Sequence, residues 1–367
     1  MCDADGGARE VRAHVPAPAS LEALRSVVDA RVDERLHEVA TRWGGVDDVL
    51  AEPVERLRRF VLDGGKRLRP GFCRLGHLAA GGDGEDPTVL DAGAALELLH
   101  AFALVHDDVM DGSALRRGAP TVHVLFDDRH RAEAWAGESR RFGEGMAVLI
   151  GDLAVVLADT LLDDVGPEAR AVYDELRVEL VMGQLLDVAV AAERRSDPET
   201  SRRISLLKSA KYTVERPLHL GAAIGGRLDE LAPALSAYGL PVGEAFQLRD
   251  DLLGAFGDVD VLGKPVGDDF REAKPTLLVA LATGWVHASG GPADAHALAQ
   301  LGRPDLGAGE VDAIRSVLEA SGARAAVEDR IDVLLEEALL ALEDDRFDDR
   351  VRAEMAALAR YCCHRDR

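Results

Sequence analysis

Aromatic side chains are scarce here: Phe, Trp and Tyr make up 4% of the 367 residues. A core must then be built from Leu, Val and Ala, and Leu and Ala are strong helix formers. Cysteine is scarcer, with four in the chain; Cys2 and Cys73 stand alone, and Cys362 and Cys363 are adjacent. Neighbouring cysteines do not meet disulfide geometry, so a disulfide framework is excluded. No CxxC pair occurs, which removes the usual zinc spacing. Basic residues are outnumbered, 43 against 66 acidic, for a net charge of −23. That field excludes nucleic acid and anionic membrane as partners bound through bulk charge. Asp152 interrupts the best apolar run, Met146 to Leu162, short of the roughly 18 residues a spanning helix needs, so no membrane span is expected. The first twenty residues lack the apolar stretch of a secretory signal. A reducing, cytoplasmic compartment is the expectation.

What is present is helical periodicity. Leu21, Leu24, Val28, Val32, Leu36 and Val39 recur at threes and fours, and Ser20 is placed to cap that stripe. Similar stripes follow in about 46–62, 67–80, 87–111, 145–164, 168–191, 201–227, 241–257, 271–286, 310–341 and 349–363, broken at Gly, Pro and Asp clusters such as Gly64-Gly65, Pro241 and Gly263 to Pro265. The polar stretch 127–144 reads as a surface loop or short helices, and no alternating strand is evident. The expected organisation is a disordered leader over 1–19 and one all-α domain over 20–367, a single large helical bundle.

Two acidic clusters end apolar helices. Asp107, Asp108 and Asp111 close the stripe LDAGAALELLHAFALVHDDVMD. At 100° per residue His100, Asp107 and Asp111 fall within about 40° on one face, and Asp108 points roughly 100° away. Carboxylates 4 Å apart repel by ~4 kcal/mol at an effective dielectric of 20. A helix C-terminus disfavours them further. A hard divalent cation such as Mg²⁺ relieves both; a solvated acidic helix end is the plainer alternative. An EF-hand is excluded, because Val109 and Gly118 stand at ligand positions. Asp250 and Asp251 end a second apolar helix after Phe246 and Gln247, and Asp268, Asp269, Arg271 and Lys274 follow.

Basic clusters interleave with these. Asp63 to Pro70 (DGGKRLRP) is locally basic, with glycines that let amides turn toward an anion. It is not a phosphate loop of the Walker type, since Arg67 follows Lys66 where Ser or Thr is required. Arg116 and Arg117 follow the first acidic cluster, and either neutralise it or hold a diphosphate bidentately. Lys208 and Lys211 lie within a mildly apolar helix and need a counter-charge, whether a bound diphosphate or an acid such as Asp187. Carboxylate clusters alternating with basic ones are what a site for metal-bound diphosphates requires.

At these residues the sequence resembles the trans-isoprenyl (polyprenyl) diphosphate synthase family. GGKRLRP (64–70), LVHDDVMDGSALRRGAPTVH (104–123), MGQLLD (182–187), KSAKYTVERPLHLGAA (208–223) and FQLRDDLLGAFGDVDVLGKPVGDDFREAKPTLL (246–278) match in the family's order. The resemblance implies an all-α fold of the class I isoprenoid synthase type around a deep central cavity, usually as a homodimer. It implies head-to-tail condensation of isopentenyl diphosphate with an allylic diphosphate, using three Mg²⁺ ions. By similarity Asp107, Asp111 and Asp250 bind the ions, with Asp108 and Asp251 in support. Lys66, Arg69, His100 and Arg117 hold isopentenyl diphosphate. Arg116, Lys208 and Lys264 contact the allylic diphosphate, with Gln247 nearby.

One departure stands out. The family's second acidic motif usually reads Asp-Asp-x-x-Asp, and here Gly254 takes the last place, with Asp258 one turn further as a candidate substitute. Lys208-Ser209 also replaces the more usual Lys-Thr. Product length depends on the cavity floor below Asp107. Phe102 is bulky and Ala103 small, a pairing that resembles geranylgeranyl diphosphate synthases, so a twenty-carbon product is expected. The alternative for Phe102 is an ordinary core aromatic. Three rival readings remain at this point. A terpene cyclase does not need Lys66, Arg69 and Arg117; a non-catalytic regulatory subunit has only Gly254 in its favour; a plain helical scaffold leaves the order of the clusters unexplained.

Overall fold

The stripe from Leu21 to Val39 becomes the buried face of α1 (Ala19–Gly44). The computed structural model describes residues 15–193, 195, 197–257 and 267–365; most of the expected leader lies outside them. Helix α1 begins one residue before Ser20, and its N-cap is Pro18 with no side-chain cap. A short 3₁₀ turn (Asp48–Leu50) leads to α2 (Ala51–Leu62), followed by α3 (Leu68–Ala79).

Helix α4 (Pro87–Asp111) is the centre of the bundle. Asp86 caps it by accepting from the Thr88 amide at 2.7 Å, and Pro87 suits the first turn. Ala92, Ala94, Ala95, Leu96, Leu98 and Leu99 are fully buried, so the helix is enclosed by α1, α2, α3, α6 (Ser139–Thr160) and α9 (Arg216–Ile224). By length and apolarity α4, rather than the run Met146 to Leu162, is the one described helix able to cross a membrane. Neighbours bury 67% of its apolar window, as a central helix requires, so it does not establish a span.

The remaining elements are α5 (Val122–Ala132), α7 (Pro167–Glu193), α8 (Pro198–Ser205), a π-helical segment (Leu206–Glu215), α10 (Leu228–Phe256), the single turn α11 (Asp268–Arg271), α12 (Leu277–Ser289), α13 (Pro292–Leu298), α14 (Ala308–Ala320), α15 (Ala323–Ala341) and α16 (Asp349–His364). Strand structure among the described residues is one hairpin, β1 (Leu115–Arg116) with β2 (Ala119–Pro120). Its turn has Arg117 at φ 53° and Gly118 at φ 78°, the double positive φ that matches strand twist.

Four expectations are corrected. Pro241 does not start a helix; α10 runs through both Pro233 and Pro241. A proline removes one hydrogen bond and crowds the preceding turn, but tertiary packing outweighs that local cost here. A Cβ at Gly243 would overlap the Ala210 backbone, so α10 packs backbone to backbone on the π segment. The stripe 201–227 is three pieces, because the π segment gives each turn an extra residue. Gly322 (φ 75°) divides 310–341 into α14 and α15. Within 127–144, only 133–138 is non-helical. His130, Trp135 and Phe142 pack edge-on or tilted across that bend.

Candidate active site

The bundle encloses a cavity of about 1750 Å³, beyond the roughly 300–1000 Å³ of a single small-ligand pocket. Every described residue expected in the site lines it, except Asp108 and Asp111.

Gly112 at φ 66° ends α4 and leaves its last turn at the cavity. Asp107 Oδ1 accepts from Gln184 Nε2 at 2.8 Å and from Lys208 Nζ at 3.1 Å. Lys208 also donates to Asp187 Oδ2 at 2.7 Å, the ion pair left open above. Burial opposes the charge on Asp107, but Lys208 and Lys274 outweigh it and hold the carboxyl below its ordinary value. Burial and the Asp107 charge push Asp111 up to about 7. Asp108 turns away, as the spacing requires. It is 1% exposed, and burial raises its carboxyl although Arg116 Nε donates to it at 2.8 Å. Arg116 therefore neutralises Asp108 in this structure while still lining the cavity.

The second cluster ends α10. Asp250 Oδ1 accepts from Arg365 Nη2 at 2.8 Å. Asp251 Oδ1 accepts from Gln247 Nε2 at 2.7 Å, and Gln247 Oε1 accepts from the Ser209 hydroxyl. Burial, with the charges of Asp269 and Asp250, pushes Asp251 up to about 8 despite the Gln247 hydrogen bond. Lys274 Nζ lies 2.7 Å from Glu272 Oε2, 3.5 Å from Asp269 Oδ1 and 3.8 Å from Asp111 Oδ2. One ammonium thus joins Asp111 of the first cluster to the Asp269 and Glu272 carboxylates that follow α10 in the chain. Burial works against its charge, but the surrounding carboxylates keep Lys274 firmly protonated.

Basic residues also line the cavity. Gly64 and Gly65, at φ 107° and 94°, turn the chain into α3. Arg67 is buried, with Nε on Asp29 at 2.6 Å, Nη1 on Glu97 at 2.8 Å and Nη2 on the Val61 carbonyl at 2.7 Å, so it is scaffold. Its neighbours Lys66 and Arg69 face the cavity. Arg69 Nη2 donates to Thr213 Oγ1 at 3.0 Å, and its guanidinium lies 4.3 Å from the Tyr212 ring centroid. Arg117 Nη1 donates to the Asp63 carbonyl at 3.2 Å, tying the two basic loops together. Burial and then Arg365 lower Lys66 to about 8; burial and Arg69 hold His100 neutral. Arg69 Nε, His100 Nδ1 and Tyr212 Oη are buried with no hydrogen-bond partner. Each unmet polar atom costs ~1–3 kcal/mol, which an anionic guest would relieve.

The donor set suits a cation carried in on a phosphate. No three His, Cys, Asp or Glu side chains among the described residues form a closed cage. Mg²⁺ needs none, since it binds one or two carboxylates and keeps water and phosphate oxygens. Phe102 meets His106 edge-on at 4.7 Å between ring centroids, beside Ala103 on the cavity wall. Lys264 and Asp258 lie outside the described residues. Sequence reading gave no role to Gln184, Tyr212, Asp269, Lys274 or Arg365. Four of these fall inside the quoted motifs; Arg365 is 115 residues from its partner Asp250, and no spacing could show that pairing.

Known proteins resemble this chain in sequence and in fold. The pattern describing polyprenyl synthetases matches residues 50–298. A geranylgeranyl diphosphate synthase of Methanosarcina mazei is 35% identical over 69% of this chain and 72% of its own. A (2E,6E)-farnesyl diphosphate synthase of Mycobacterium bovis is 32% identical over 93% of this chain and 89% of its own. A solved geranylgeranyl pyrophosphate synthase of Corynebacterium glutamicum, complexed with isoprenyl diphosphate and magnesium, superposes with a TM-score of 0.89 at 40% identity, covering 94% of this chain and 99% of that one. Its all-α fold is the fold found here. The chain belongs to the polyprenyl synthetase family and is a trans-prenyltransferase.

Proposed function

We propose that the enzyme condenses isopentenyl diphosphate head-to-tail with an allylic diphosphate, using Mg²⁺, and releases the twenty-carbon geranylgeranyl diphosphate. One observation carries this reading. A single cavity is lined by the acidic ends of α4 and α10, by Lys274 paired with Asp111 and Asp269, and by Arg69, His100 and Tyr212, each with a buried polar atom that has no partner. Two anionic guests, one of them carrying cations, satisfy both sets of groups.

Asp107 and Asp111 would hold two ions and Asp250 a third. Bound Mg²⁺ would supply Lewis-acid assistance to departure of the allylic diphosphate. Lys208 and Lys274, now paired with carboxylates, stand ready to meet the charge that develops on the leaving group. Lys66, Arg69, His100 and Arg117 would orient isopentenyl diphosphate, placing its alkene against the electron-poor carbon. Apolar lining from Phe102, Leu104 and Leu180 excludes water that would quench a carbocation. Phe102 is the proposed floor, and its support is its place on the wall beside Ala103.

The proposed assembly is a homodimer in a cytoplasmic setting. Its support is exposed apolar side chains: Leu149 and Val156 on α6, and Val178, Met182 and Leu185 along one face of α7, where Leu149 is 64% and Leu185 60% exposed. A second copy placing the same side chains against these makes a two-fold contact.

The test is mass spectrometry of products from Mg²⁺, isopentenyl diphosphate, and dimethylallyl, geranyl or farnesyl diphosphate in turn. A twenty-carbon diphosphate supports the reading. A fifteen-carbon product, which the Mycobacterium bovis likeness favours, keeps the chemistry and removes Phe102 as the floor. A cyclised hydrocarbon, or diphosphate binding with no turnover, overturns it.

A further inference from the structure

On α4 two carboxylates stand one turn apart on one face, Asp107 and Asp111. On α10 the matching position after Asp250 is Gly254. The space is not empty. A Cβ added at Gly254 would overlap the Asp269 carboxylate, which enters from α11. The turn bearing Asp269 is anchored by Phe270, 2% exposed, and by Arg271 Nη2 on the Leu306 carbonyl at 3.0 Å. Its neighbour Asp268 is engaged by Arg271 Nη1 at 2.7 Å. Asp269 lines the cavity and shares the Lys274 ammonium with Asp111 of the opposite cluster. A cation already sits between these two carboxylates, and it belongs to a flexible side chain that a metal ion can displace.

We propose that Asp269 is the second carboxylate of the α10 cluster: with Asp250 it holds a diphosphate-bound divalent cation, in the space that glycine at 254 leaves open. The proposal rests on the metal-diphosphate reading above. It makes Gly254 a requirement of the site, since a side chain there displaces the carboxylate that replaces it.

The test measures Mn²⁺ binding by electron paramagnetic resonance, with inorganic pyrophosphate present, on the full chain. Thermal melting of each variant confirms folding. Asp269→Asn and Gly254→Ala, one removing the charge and one displacing it, should each weaken the last-binding ion about ten- to a hundredfold. Gly254→Asp combined with Asp269→Ala moves the carboxylate back onto α10, and should recover affinity to within about threefold of the parent, well inside the loss expected for Asp269→Asn. Unchanged Mn²⁺ binding in Asp269→Asn overturns the proposal while leaving the metal-diphosphate reading intact. So does a double variant no better than Asp269→Ala. A parent protein that binds no Mn²⁺ with pyrophosphate overturns both.

Discussion

The acidic ends of α4 and α10 line one cavity, yet they are built differently. At the end of α4, Asp107 and Asp111 come from one helix, and Asp107 is fixed by Gln184 and Lys208. At the end of α10, Asp250 pairs with Arg365 from the far end of the chain, and Asp269 arrives from a separate turn. Helix geometry sets the spacing of the first cluster, and Gln184 and Lys208 hold Asp107 within it. The second exists only after α10, α11 and α16 have packed. Its members lie far apart in sequence, so its geometry depends on more of the fold.

The largest expected effect tests whether the first cluster carries more of the chemistry. Asp107→Asn should lower kcat/KM by about 10³ in steady-state assays, in the range for losing one preorganised electrostatic group. The split second cluster should show a smaller loss in Asp269→Asn. Equal losses would make the two clusters equivalent and break the contrast.

Next in size is stability. Asp108 is 1% exposed and its carboxylate relies on Arg116. Arg116→Ala should destabilise the fold by about 3 kcal/mol in urea unfolding, as removal of one partner from a buried pair does. Asp251 relies on the neutral Gln247, so Gln247→Ala should cost about 1 kcal/mol, the scale of one hydrogen bond.

A pH series sharpens the comparison further. Asp111 ionises near about 7 in the fold and near 3.8 when unfolded. Its folded value is raised, so its contribution is fully present below the unfolded value and is lost as pH rises through the folded one. The melting advantage of Asp111→Asn over the parent should therefore grow from about pH 4 to about pH 7 and level off above. A gap that is flat with pH would show that Lys274 neutralises Asp111 fully.

The smallest effect on rate, though the clearest in product, tests the cavity floor. Phe102, on α4 and edge-on to His106, is the proposed floor, and Phe246, on α10 with Arg365 over its ring, is the control. Phe102→Ala should lengthen the product by one five-carbon unit on mass spectrometry, since one helical turn of ~5.4 Å matches one unit. Phe246→Leu should leave product length unchanged. A longer product from Phe246→Leu would place the floor on the wrong helix.

Much of this was legible from local pattern. The apolar periodicity of α1 placed its buried face correctly, and the spacing of His100, Asp107 and Asp111 separated Asp108 from them. Such relations span a few turns of one helix, whose geometry is the same wherever the helix sits. Local rules failed at Pro241, where the backbone contact of α10 with the π segment overrides the proline. They failed again at α4, whose apolarity is that of a helix enclosed on every side.

The sequence by itself determined the helical class, the two acidic helix ends, the basic loop around Lys66 and Arg69, and the family motifs. Each depends on residues close together in the chain. Tertiary structure alone decided that Lys274 meets both Asp111 and Asp269, that Arg365 meets Asp250, that Arg67 is tied to Asp29 and Glu97, and that Asp269 fills the space at Gly254. These are contacts between distant segments. Their distances are set by helix packing, which no spacing along the chain encodes.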